Sequence, residues 1–386
     1  MNLKHVIGIV VALSLVVVPG SLRGGYPPDP DNAALLYYQA FLLSAQLEAP
    51  QEEAIGKFAR GQCELTDEIR EAVAQCHTAI DYTVAASGLR ECNWGFRFSL
   101  GFNASMPHLA QVRLLSRAIL AEARIRAADG AWREAFERCL VVKKMGYHVG
   151  DDTLISMLVA MAVDGSANAR IRDFLGQMPK DKETLQWLKA ELAMLSGRLP
   201  TAERPMEYEM AVSMEIMQPE KRDALVGIFE GTDVKITPEH VAKMDEEFLA
   251  KNRESYAKVI TSVAGVLTGP GTYEQRYRKL RQLADEMDGS DESTVLAKAL
   301  TPGFASVFNR FVLAETEANV TRAAVDVYLA RVESGRFPRT LPTGLPNEGF
   351  SGRDFAYERT DNGFVLRCQT KDLHKDTVHE YAFTAK

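Results

Sequence analysis

The sequence predicts a mainly α protein: an irregular array or bundle of helical hairpins that ends in a small C-terminal antiparallel β meander. Three observations carry this expectation. Apolar residues recur at i, i+3, i+4 and i+7 through most of the 386 residues. Pro and Gly interrupt that pattern at spacings that suit helical hairpins. After Ser334 the period changes from about 3.6 to 2, and Asn362-Gly363 separates two alternating runs, the strongest short-range hairpin signal. The breaks define four regions: 1–20 as a signal peptide, 21–199 as an N-terminal helical-hairpin domain, 200–335 as a C-terminal long-helix region, and 336–386 as a β-hairpin module packed on the last helix. The 46% hydrophobic and 25% charged composition is that of a globular chain with a sizeable core.

The N-terminus has the form of a secretion signal. Lys4 precedes an apolar run from Val6 to Val18, and Pro19-Gly20-Ser21 supplies small residues for cleavage near Gly20. Thirteen apolar residues fall short of the roughly 17 to 25 that a spanning helix needs. An exported location, periplasmic or extracellular, is the expectation. Its rival is an uncleaved anchor in the inner membrane, extended through Leu22. Export permits disulfides. The five cysteines are Cys63, Cys76, Cys92, Cys139 and Cys368, an odd number, so at least one stays unpaired in a monomer. Cys63, Cys76 and Cys92 are close in sequence, and a pair among them would staple two N-terminal helices. Zinc at Cys76 and His77 is disfavoured because no CxxC spacing occurs. Cys139 reads as a small core residue.

In chain order, the Pro-rich piece Tyr26 to Pro30 leads into a helix capped by Asp31, with a stripe of Leu35, Tyr38 (or Leu36), Gln39, Leu42 and Leu43. Pro50 ends it, and Gln51 to Arg60 forms a second helix. Thr66 caps a third, Asp67 to Ala86, with Ile69, Val73, Cys76, Ile80 and Val84 on one face. Leu89 to Met106 is aperiodic and holds Cys92, Trp94, Phe96, Phe98 and Phe102. Such a loop can line a groove, and it can equally plug a gap between helices. Pro107 to Asp129 and Ala131 to His148 are the next helices. The second carries Trp132, Ala135, Phe136, Cys139 and Leu140, and Gly130 supplies the left-handed turn between them.

At this hairpin the residues Ala123, Ala127, Gly130, Trp132 and Ala135 resemble a tetratricopeptide repeat unit. The resemblance covers about 34 residues. It implies a helical hairpin that stacks on neighbours. No second or third copy occurs at a fixed period, so a regular solenoid is not expected.

Helix Thr153 to Leu175, capped by Asp151 or Asp152, carries Leu154, Leu158, Val159, Ala162 and Ile171. His148 beside those carboxylates suits a helix C-terminus followed by an N-cap. Lys182 to Ser196 follows, with Leu185, Leu188, Leu192 and Leu195. Beyond the break at Leu199 to Pro205, Met206, Met210, Met214 and Met217 form a stripe that reads as core, with an adaptable surface or copper-binding thioethers as rivals. Glu203, Glu207, Glu209 and Glu215 read as surface charges. Phe229 to Pro238 is a loop, and one long helix, Glu239 to Leu267, buries Val241, Met244, Phe248, Tyr256, Ile260 and Val263. Gly269 to Thr272 turns the chain into Tyr273 to Met287, which is exposed on one side. After Gly289 to Glu292 and Pro302-Gly303 comes the longest helix, Phe304 to Ser334. Strands Phe355 to Arg359, Phe364 to Gln369 and Val378 to Phe383 form the meander, which needs the last helix as a support.

The C-terminal run holds Gly335, Phe337, Pro338, Leu341, Phe350, Ser351, Gly352, Tyr357, Gly363 and Phe364. It resembles the ending of uncharacterised exported bacterial helical proteins and, more distantly, the periplasmic part of type II secretion major pseudopilins. The resemblance implies a helix-supported β module of about sixty residues. It departs from the pseudopilins at Glu348-Gly349, in the tail KDLHKDTVHEY and in the absence of a prepilin cleavage pattern. Those departures argue against pilus incorporation and against a calcium site.

No GxSxG, HExxH, P-loop or GxGxxG stands in its required context. The seven histidines are scattered. His374 and His379 beside Asp372 and Asp376 read as a charged turn rather than a metal site. The net charge of −7 argues against nucleic acid, and Lys143-Lys144 and Lys221-Arg222 read as solvated helix faces. The sequence therefore names no catalytic, cofactor-binding or metal residue and implies no cofactor. The expected function is that of a non-enzymatic exported scaffold or interaction protein of the cell envelope, with a protein or envelope polymer as partner. The alternatives are an envelope enzyme whose dispersed site has Leu89–Met106 and His148–Asp152 as walls, and an accessory of a secretion apparatus.

Overall fold

Asn32 opens the first helix: its side-chain oxygen accepts from the Ala34 N–H at 3.1 Å, and α1 runs Ala33–Leu43. The computed structural model describes residues 29–44, 47–150, 152–198, 201–229, 237–289, 294–301 and 303–385. The expected signal peptide, Asp151 and the break at 290–293 lie outside them. The cap is Asn32, one residue after the expected Asp31. The face of α1 is also not the expected one. Ala33, Ala34, Tyr37 and Ala40 are buried, whereas Leu35, Tyr38, Leu42 and Leu43 are exposed. α1 is apolar on all sides, so periodicity could not orient it.

Helix α2 (Ala49–Ala59) precedes α3 (Asp67–Gln75), whose cap Thr66 accepts from the Ile69 N–H at 3.3 Å. The single helix expected over 67–86 is two. Cys76 takes φ −84°, ψ −2°, and α4 (His77–Ser87) restarts there. α4 packs on α1. The three N-terminal cysteines are free thiols, so the expected staple is absent. The Cys76 sulfur is turned onto the carbonyl of Ala72 at 3.6 Å, within its own helix. Burial pushes the Cys92 thiol up to about 12.

The central layer is α5 (Pro107–Ala128), α6 (Trp132–Val149) and α7 (Leu154–Gln177). Gly130 sits at φ 83°, and the Ala131 N–H reaches back to the Arg126 carbonyl at 2.8 Å. That left-handed turn folds α6 onto α5. Ala121, Ala123, Ala135 and Cys139 are buried along the helix contact. Thr153, rather than Asp151 or Asp152, caps α7 by accepting from the Ser156 N–H at 3.1 Å. α7 alone among the described helices is long and apolar enough to cross a membrane; it is a core helix, held between α6 and the last helix.

Beyond α8 (Lys182–Met194) come α9 (Glu203–Ile216), α10 (Leu225–Phe229) and α11 (Pro238–Ala242), and then α12 (Glu246–Thr268). The long helix expected over 239–267 is thus split. Asp245 accepts from the Phe248 N–H at 2.8 Å and starts α12 afresh. α13 (Tyr273–Asp288) and the short α14 (Val295–Leu300) lead to α15 (Phe304–Ser334). At about 1.5 Å per residue α15 is roughly 46 Å long. It packs on α7, α8 and α13, and Gly335 at φ 79° ends it.

The fold is mainly helical, with one three-stranded antiparallel sheet in the order β1 (Ala356–Arg359), β2 (Gly363–Arg367), β3 (Glu380–Thr384). Arg359 pairs with Phe364, and Phe364 with Phe383. Phe364 stacks on Phe383 and meets Tyr328 of α15 edge-on. The Tyr328 hydroxyl donates to the Thr384 carbonyl at 2.7 Å. Gly176 of α7 lies beneath that carbonyl, where a Cβ would stand 2.7 Å from the Thr384 oxygen. One continuous apolar core runs from Ala33 to Phe383.

Candidate functional site

A cleft of about 440 Å³ opens between α6–α8 on one side and α15 on the other. Its floor is polar. Lys143 and Tyr147 lie one turn apart on α6, and Asp164 and Asn168 one turn apart on α7, so each pair shares a helix face. The two faces meet. Lys143 Nζ donates to Asp164 Oδ1 at 2.6 Å and to Asn168 Oδ1 at 2.9 Å. The Tyr147 hydroxyl donates to Asp164 Oδ1 at 3.0 Å, and Asn168 Nδ2 to Asp164 Oδ2 at 2.7 Å. Asp164 and Asn168 are fully buried and Lys143 is 2% exposed. Lys143 is therefore not part of a solvated face. Its ammonium exchanges water for two oxygens, and only Lys144 stays partly exposed, 4.0 Å from Glu191. The basic dipeptide hid this, because a helix rotates neighbouring residues by about 100°.

Both Asp164 oxygens are taken by donors. Burial raises the Tyr147 pKa well above the ordinary value, and the Asp164 charge and hydrogen bond add to it. Tyr147 therefore holds its proton and acts as a donor. The floor is a closed network with no free base among its described members.

The walls are apolar: Leu192 from α8 and Leu195 at its C-terminal cap, Phe311 and Ala318 from α15. The rim is polar. Glu315, Asn319 and Arg322 follow the cleft along one face of α15. Arg322 Nη1 donates to Ser196 Oγ at 3.0 Å, and Asn319 Nδ2 to the Asn347 carbonyl at 2.8 Å. More than a third of Glu315 is exposed, yet desolvation raises its carboxyl pKa, with the Arg276 charge opposing. No family model, curated protein or solved structure matches the chain. The likenesses to tetratricopeptide units and to pseudopilin tails therefore rest on sequence alone.

The places singled out by sequence sort differently. The Leu89–Met106 loop and the His148 corner do meet, but they fill space. Trp94 is buried, stacks on His108 at 4.7 Å and on Tyr37 at 5.3 Å, and donates from Nε1 to the His148 carbonyl at 2.6 Å. Tyr37 bonds His148 Nδ1 at 2.9 Å. Desolvation pushes His108 down to about 4 and lowers His148 as well. Asp152 lies 3.4 Å from Arg204. Phe98 and Phe102 are exposed, and Phe98 meets Tyr208 edge-on.

Met206 and Met217 are buried; Met206 and Met210 line a small apolar groove against α12. Asp372 is fully buried and accepts from the N–H groups of His374 (2.8 Å) and Lys375 (3.0 Å). His379 Nε2 lies 2.8 Å from it and Asn309 Nδ2 donates at 3.3 Å. Burial works to raise its pKa, but these bonds outweigh it and hold the carboxyl below the usual range. Asp376 pairs instead with Lys371 at 2.5 Å. Asp372 is thus a staple between the β module and α15. Glu348, which the sequence marks only as a departure from the pseudopilin pattern, is fully buried; it accepts from the Phe350 and Ser351 N–H groups at 2.7 and 2.9 Å and from the Gln369 N–H at 3.3 Å, which ties its loop to the segment after β2.

Proposed function

We propose that this chain is a non-enzymatic, exported helical interaction protein of the cell envelope, and that its ligand sits in the cleft between α6–α8 and α15. One observation carries the binding role: a half-enclosed cleft with apolar walls has a floor whose polar groups are bonded to one another. Such a floor is rigid and shaped, and recognition is left to the rim. The cleft volume lies within the range of small-ligand sites, roughly 300 to 1,000 Å³. Export is supported by the sequence from Lys4 to Ser21. The partner is a protein or envelope polymer that offers a short segment or chain end to the cleft.

The test is a methyl NMR titration of leucine-labelled protein with pools of short peptides, sugars and organic acids. Binding should shift Leu192 and Leu195 and be lost in Ala318→Trp, which fills the cleft. Shifts confined to other leucines, such as Leu267 in the methionine groove, would reject the reading. A second reading is an envelope enzyme. It is favoured by Lys143 and Tyr147 converging on the cleft floor. It would prevail if the bound compound were converted and Tyr147→Phe stopped conversion without weakening binding.

A further inference from the structure

The rim of the cleft carries two opposite charges, neither of them in an ion pair among the described residues. Glu315 and Arg322 are seven residues apart on α15, so they face the same way, separated by about 10 Å along the axis. Both line the cleft. Among the described residues, the hydrogen bond of the Arg322 side chain goes to a hydroxyl, that of Ser196. The carboxylate one turn beyond it, Asp326, is held by Lys189. At the other end, no described cation lies within ion-pair distance of Glu315. Its neighbour Arg276 is committed elsewhere: Nε donates to the Val266 carbonyl at 2.9 Å, Nη2 bonds the Leu267 carbonyl, and the guanidinium lies over Phe308. Between the two charges α15 presents Ala318 and Asn319 to the cleft, and the Asn319 amide is bonded to the Asn347 carbonyl.

We infer that the cleft takes a zwitterionic ligand of about tripeptide length, its carboxylate on Arg322 and its amino group at Glu315. This rests on the cleft being the binding site. The length follows from reach: an extended chain covers about 3.3 to 3.6 Å per residue, so three residues bridge roughly 10 Å. The polarity follows from the charges. A guanidinium binds a carboxylate through paired N–H donors. A partly desolvated carboxylate gains most from an ammonium that brings its own charge. Leu192, Leu195 and Phe311 leave the middle of the ligand to apolar contact. The Lys143 floor, already neutralised by Asp164, adds no net charge that would favour a dianion over a zwitterion.

The test is calorimetric titration of the full chain with trialanine, its N-acetyl form, its C-terminal amide and a linear eight-carbon dicarboxylate. Trialanine should bind at one site. Acetylation or amidation should each weaken it about tenfold or more, the value of one charge-assisted contact. Glu315→Gln should abolish the effect of acetylation and leave that of amidation, and Arg322→Gln should do the reverse. Equal binding of all four compounds would overturn the inference. So would dicarboxylate binding, sensitive to Ala318→Trp, in the absence of trialanine binding; the cleft itself would then stand. Trialanine binding unaffected by Ala318→Trp, or binding by none of the four, would overturn the inference and count against the cleft.

Discussion

Replacing Lys143 with Met leaves Asp164 fully buried beside two neutral donors, Tyr147 and Asn168. Breaking a buried ion pair by removing one partner costs about 3–5 kcal/mol. The expected loss at pH 7 is therefore about 3–5 kcal/mol. Replacing both partners, Lys143→Met with Asp164→Leu, should recover most of the loss, because the desolvation of both charges is relieved together. Urea unfolding followed by far-UV circular dichroism and tryptophan fluorescence measures these values. A loss below about 1 kcal/mol in Lys143→Met at pH 7, or a double variant no more stable than Lys143→Met, would refute the buried network.

Other consequences are independent of the cleft. His108 is held down to about 4, below an unfolded value near 6.5. The unfolded chain therefore binds more protons in that window, and the contribution of His108, complete above about pH 6.5, fades as pH falls toward 4. His108→Phe keeps the stack on Trp94 and should remove on the order of 2 kcal/mol of this dependence, a figure reduced for screening; an unchanged pH profile would contradict the burial. Gly176→Ala brings a Cβ to 2.7 Å from the Thr384 carbonyl and should cost about 1–3 kcal/mol. Gly227→Ala, which meets nothing within 4 Å, should be neutral or stabilising in the same urea series. All five cysteines should alkylate in denaturant without reductant, read as five adducts in the intact mass; fewer adducts would indicate a disulfide.

Helix existence was legible where the sequence carries its own punctuation. Thr66 and Thr272 act as caps, Gly130 turns the central hairpin, and Gly335 ends α15, so the boundaries at those residues stand within a residue or two of expectation. The hairpin at Asn362-Gly363 forms for the same local reason. What was lost is tertiary. Cys76 breaks a continuous apolar face because two short helices pack in different directions, and nothing in the side-chain period records that. α1 has no polar face to mark its outside. The cleft was the least legible part. Lys143, Asp164 and Asn168 are polar residues turned inward, and an isolated helix pattern assigns such residues to solvent. The available signal was the i, i+4 pairing of Lys143 with Tyr147 and of Asp164 with Asn168 on successive helices of one hairpin. Reading it required knowing that the two faces meet. The aromatic loop attracted attention instead, since Trp94 and its neighbours are conspicuous in sequence, yet Trp94 serves to seal α1 against α5 and α6.

A crystal structure of the protein with its tightest cleft ligand decides where recognition takes place. It should show a carboxylate on the Arg322 guanidinium, the ligand body between Leu195 and Ala318, and Lys143 still bonded to Asp164 and Asn168. A ligand seated elsewhere, or Lys143 drawn off Asp164 to bond the ligand, would contradict a cleft read by its rim.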